Sequence, residues 1–65
     1  MMHRADFVRI AAVLRTVLHN AAAGAEEAGV RNVVTYLAEL FESNYAHFNK
    51  AKFLEAVYGK EAHNG

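Results

Sequence analysis

Four histidines, His3, His19, His47 and His63, are the residues best suited to hold a metal or move a proton in this chain. A helix presents two imidazoles to one zinc ion when they stand four residues apart, and no pair here has that spacing. Solvent-facing imidazoles are therefore expected, with His47 free to cap a helix or pack on Phe48. Nucleophilic chemistry fares no better, because the hydroxyls of Ser43, Thr16 and Thr35 have no sequence neighbours that would activate them. The segment Gly24-Ala25-Glu26-Glu27-Ala28-Gly29 has the glycines of a phosphate loop, yet puts two glutamates where a phosphate needs amides and a lysine. Cysteine is absent, which removes disulfides and thiolate metal sites together. The expectation is a protein that is not an enzyme, with no catalytic, cofactor-binding or metal-binding residues.

Seven basic and seven acidic side chains cancel, which argues against a dedicated binder of nucleic acid or of an anionic membrane. Their distribution is uneven. Arg4, Arg9 and Arg15 oppose only Asp6 in the first twenty residues, whereas Glu26, Glu27, Glu39 and Glu42 outweigh Arg31 in the middle. An alternative reading follows from this, a weak nucleic-acid-binding regulator that uses the basic faces of helices 1 and 3 through Arg4, Arg9, Arg15, Lys50 and Lys52. A helix-turn-helix arrangement is not expected, since the link from Ser43 to Phe48 exceeds the usual short turn. No apolar run approaches the roughly 20 residues that span a bilayer. Arg4, Asp6 and Arg9 interrupt any leader-like stretch, so neither a membrane span nor a signal peptide is expected.

The elements that would position these residues are helical. Proline is absent, alanine and aliphatic residues are abundant, and the apolar positions recur at helical spacing. Helix 1 is expected from Arg4–Asp6 to about His19, with Phe7, Ile10, Ala11, Leu14, Leu18 and Ala21 as its stripe. A turn near Asn20–Gly24 precedes helix 2, expected from Ala25 to Ser43 with Val30, Val33, Val34, Leu37, Leu40 and Phe41 facing inward and a Glu27–Arg31 pair outside. Helix 3 carries the most complete local signals. Asn49 is its N-cap, Phe48 folds over Phe53 as a hydrophobic staple, Leu54 and Val57 complete the apolar edge, and Gly59 supplies a left-handed stop. A helix so short is marginal in water and must dock on something larger. The chain thus reads as one all-α domain over 1–65, an antiparallel two-helix hairpin with a short C-terminal capping helix and a flexible polar tail at 60–65. Phe7, Phe41, Phe48 and Phe53 should meet in one core cluster.

That architecture leaves apolar side chains over. Val13 and Val17 flank the stripe of helix 1 on one side and Val8 on the other, and Tyr36 sits beside Leu40 on helix 2. Small chains without disulfide or metal often cover such surface by associating, most commonly as a two-fold dimer. A homodimer is therefore expected through Val13 and Val17, with Tyr36, Tyr45 and Tyr58 as rim residues for a partner.

Both ends of the chain resemble a group of short single-domain proteins from phages and prophages of actinobacteria and related hosts, most of them without assigned function. The first matching stretch is Arg4, Asp6, Phe7, Ile10, Ala11, Leu14 and Arg15, with Val13 intervening. The second is Asn44, Phe48, Asn49, Phe53, Leu54, Ala56 and Gly59. Two departures stand out: Asn44-Tyr45-Ala46-His47 replaces a shorter Asn-Pro link, and Lys52 replaces an arginine. The resemblance implies a phage accessory protein acting in the host cytoplasm, with a host or phage protein as partner. It carries over no catalytic residue. Together, residues and resemblance give a small phage-encoded interaction module or self-associating adaptor.

Overall fold

A computed structural model describes residues 2–59 of the chain. The expected tail at 60–65, and His63 within it, lies outside the described residues. Three helices follow one another without a strand among them: α1 Arg4–Asn20, α2 Ala25–Asn44 and α3 Lys50–Tyr58. The all-α, three-helix architecture read from the spacing of apolar residues is the one observed, with boundaries that differ from expectation by about one residue.

Each helix start has a local cause. At α1 the extended residue His3 precedes the first turn, and its N–H donates to Asp6 Oδ2 at 2.8 Å. At α2 the last residue before the helix is Gly24, with φ 98° and ψ −128°, a backbone conformation that residues with a Cβ rarely adopt. The Glu26 carboxylate then reaches back to accept from Ala22 N–H at 3.2 Å, where a helix N-terminus favours negative charge. At α3 Asn49 Oδ1 accepts from Lys52 N–H at 3.0 Å, and the Phe48 and Phe53 rings meet at 5.4 Å between centroids. Cap and staple are both in place. Gly59 ends α3 with positive φ, as expected, although its ψ of 165° lies in the mirror-extended region rather than the left-handed helical one. Either conformation requires glycine.

Packing sets the directions. Phe7 near the start of α1 meets Phe41 near the end of α2 at 5.1 Å, so the two long helices run antiparallel. Arg15 Nη1 of α1 lies 3.5 Å from the Ala56 carbonyl near the end of α3, which makes α3 parallel to α1. The core comprises Ala11 and Leu14 of α1, Val34, Ala38 and Phe41 of α2, and Phe53 and Val57 of α3. Phe41 is the hub of the aromatic cluster, edge-on to Phe7, Phe48 and Phe53. The α1–α2 seam itself is thin, and α3 provides much of what holds the pair together.

One expectation for α2 is corrected. The sequence places Val33 and Leu40 in its inner stripe and Ala38 outside it, yet Val33 and Leu40 are about half exposed and Ala38 is fully buried. The inner line runs through Val30, Val34, Ala38 and Phe41, at steps of four, four and three residues. Ala38 is buried by its place on the helix, in line with Val34 and Phe41, rather than by its bulk.

Candidate interaction surface

The hairpin of α1 and α2 has two broad faces, and α3 occupies one of them. Contacts from α3 identify the covered face: Arg15 on α1 touches Ala56, Arg31 on α2 stacks its guanidinium 5.0 Å over the Tyr58 ring, and Glu42 on α2 pairs with Lys50 at 3.9 Å. Residues two positions away on a helix point roughly 200° round the axis, hence to the opposite side. Val13 and Val17 each stand two positions from Arg15, Val33 stands two from Arg31, and Leu40 stands two from Glu42. Tyr36 is one turn from both Val33 and Leu40 and continues their line. These five side chains are 46–71% exposed, and they share the face that α3 leaves open. Half-buried Ile10 and Leu37 lie between them, on the α1–α2 seam.

This arrangement unites expected residues with unexpected ones. The sequence marks Val13, Val17 and Tyr36 as surplus apolar surface, whereas Val33 and Leu40 read from it as core. The signal that marks the latter pair was present: α2 has more apolar positions than one stripe can bury, spread over more than 100° of its circumference. The other two tyrosines differ from Tyr36. Tyr45 turns inward as a fifth ring of the aromatic cluster, 5.3 Å from Phe7, and Tyr58 is held half-buried beneath Arg31. Phe7, Phe41, Phe48, Phe53, Leu54, Asn49 and Gly59 all serve as anchors of the fold on the covered side.

The histidines stay apart. His3 lies 3.8 Å from the Asp6 carboxylate at the start of α1, His19 is in the last turn of α1, and His47 is in the α2–α3 turn. Among the described residues no group of three or more His, Cys, Asp or Glu side chains could hold a metal ion. Ser43 is exposed, and the Thr16 and Thr35 hydroxyls donate to the carbonyls of Ala12 and Arg31 on their own helices. The basic residues divide between surfaces. Arg4 and Lys52 line an open groove of about 680 Å³ between α1 and α3, with Phe7, Val8 and Phe53 among its lining residues. Arg15 is drawn to the end of α3, and Lys50 is paired with Glu42. Arg9 stands on the other side of α1, one turn from Val13.

No helix among the described residues is long and apolar enough to cross a membrane. Comparison of the chain with protein-family models, with curated proteins and with solved structures finds no match.

Proposed function

We propose that this chain is a small non-catalytic interaction module, phage-encoded as the sequence resemblance implies, that associates with itself through the face α3 leaves bare. The observation that carries the reading is the gathering of Val13, Val17, Val33, Tyr36 and Leu40 on that one face. Scattered exposed valines need no explanation on a protein surface, but a contiguous apolar patch does. Fully burying a valine or leucine is worth roughly 1.5–3 kcal/mol. Three valines and a leucine, each about half exposed, together with Tyr36 are therefore a drive toward association on so small a chain, offset by the freedom the two partners lose. A second copy supplies an equally apolar face of matching shape, which is the self-complementary surface of a two-fold dimer.

Sedimentation equilibrium across a concentration series tests this. The native chain is expected at dimer mass at high micromolar concentration, and the double variant Val13→Glu, Val17→Glu at monomer mass with its helical circular dichroism retained. A native monomer throughout that range would overturn the self-association. A second reading, nucleic-acid binding, draws on Arg4 and Lys52 at the α1–α3 groove. Retention on a nucleic-acid column that falls steeply with salt would favour it instead.

A further inference from the structure

Resting on the self-association just proposed, we infer how the two copies are arranged: α1 of each lies antiparallel on α2 of the other, in a four-helix layer pair whose two-fold axis runs along the helices. The evidence is a register and a pair of unused charges. The Phe7–Phe41 contact places those residues at one level of the antiparallel hairpin. Both helices rise by the same step, so moving two residues onward from Phe7 and two back from Phe41 puts Arg9 and Glu39 at one level as well. Moving six residues puts Val13 within one residue of the level of Tyr36.

Nearly every other charge on the hairpin is already engaged. Asp6 accepts from His3, Arg15 meets the Ala56 carbonyl, Glu26 accepts from Ala22, Glu27 pairs with Arg31 at 3.8 Å, and Glu42 pairs with Lys50. Arg4 belongs to the groove on the covered side. Arg4 has no ion-pair partner either, but away from that groove Arg9 and Glu39 are the charges of the hairpin with neither an ion pair nor a side-chain hydrogen bond among the described residues. Each lies one turn from a residue of the bare face, Arg9 from Val13 and Glu39 from Tyr36, so each marks the outer margin of that face. Within one chain they sit on opposite margins, too far round their helices to meet.

A two-fold axis parallel to the helices preserves level and exchanges sides. It therefore brings Arg9 of one copy against Glu39 of the other, twice per dimer, while Val13 packs by the second copy's Tyr36. The competing two-fold arrangement, α1 on α1 and α2 on α2, juxtaposes the basic helix with itself and the acidic helix with itself. Opposite charges across an interface select register and partner even where each pair adds little affinity.

Because the chain has no cysteine of its own, single introduced thiols report the arrangement directly. Val13→Cys protein mixed with size-tagged Tyr36→Cys protein under mild oxidation is expected to give mainly the mixed disulfide. Val13→Cys alone should give little covalent dimer. Arg9→Glu or Glu39→Arg alone should each weaken dimerisation on the order of tenfold, since two exposed pairs become two repulsions. Combining the two reversals in one chain should restore it. Efficient self-crosslinking of Val13→Cys, or failure of the combined reversal to restore association, overturns the arrangement while leaving the dimer standing. A native chain that sediments as a monomer removes the dimer itself, and the two failures are thereby told apart.

Discussion

The two faces of the α1–α2 hairpin are built from similar residues and meet different fates. On the covered side Ala11, Leu14, Val34, Ala38 and Phe41 are sealed by Phe53 and Val57 of a nine-residue helix. On the other side Val13, Val17, Val33, Tyr36 and Leu40 remain largely exposed. What distinguishes the faces is the partner. The chain folds one of its own segments back over the aromatic end of the hairpin and has no fourth helix among the described residues for the other side. An apolar stripe therefore predicts burial against something, and the identity of that something depends on how many elements the chain supplies.

The largest contrast is expected from the covered face. Phe53→Ala removes a ring that is 4% exposed and packed edge-on to Phe41 and against Phe48. The loss should be about 3–5 kcal/mol, most or all of the stability of a domain this small. Thermal melting followed by far-UV circular dichroism should show no cooperative transition, or one shifted far down in temperature. A melting temperature close to that of the native chain would mean that α3 does not seal the core. It would also erase the difference between the faces.

A smaller effect is expected where α3 begins. Asn49→Ala deletes the acceptor for Lys52 N–H and should cost about 0.5–2 kcal/mol, while Asn49→Asp keeps an acceptor oxygen and should be nearly neutral. The measurement is urea denaturation of both variants beside the native chain. Equal losses for alanine and aspartate would show that the cap does not anchor the covering helix.

These two expectations rest on features legible in the sequence. Asn49, the Phe48–Phe53 staple and Gly59 are local signals, each fixed by a few neighbouring residues, and all three appear at the expected positions. The stripe of α1 was legible from Phe7 to Leu18, which pack in or against the core, whereas Ala21, expected to continue it, is the extended residue just past the helix end. The stripe of α2 was not legible. With Val30, Val33, Val34, Leu37, Leu40 and Phe41 spread around the helix, periodicity alone admits more than one inward direction. Bulk favoured Val33 and Leu40 over Ala38. The choice is made by tertiary packing, in which Ala38 is fully buried in the core that α1 and α3 share. The bare face is accordingly only half visible in the sequence: Val13, Val17 and Tyr36 stand out as leftovers together with Val8, which lies instead at the α1–α3 groove, and the partners of the first three across the seam, Val33 and Leu40, read as core. Tyr45 shows the converse, a candidate for partner contact whose ring is drawn into the Phe7–Phe41 cluster by the turn that follows α2.

The smallest effect on the isolated fold is expected from the bare face, and it separates the two faces most sharply. Leu40→Ser changes a side chain that is 54% exposed and outside the sealed core. Surface substitutions of this kind usually alter monomer stability by less than about 0.5 kcal/mol. At low micromolar protein, where association is negligible, the melting temperatures of native and variant chains should coincide. They should part as concentration rises. Association stabilises the folded state by mass action, so a native chain that dimerises through this face melts at higher temperature when concentrated. The variant, with its patch interrupted by a hydroxyl that would need a hydrogen-bond partner on burial, should lose most of that dependence. Two parallel, concentration-independent series would mean that the bare face binds no second copy. A drop in the variant's melting temperature that is equally large at every concentration would mean that Leu40 supports the monomer core, making the two faces alike in kind. Divergence with concentration is the outcome that leaves one face holding the fold and the other holding the dimer.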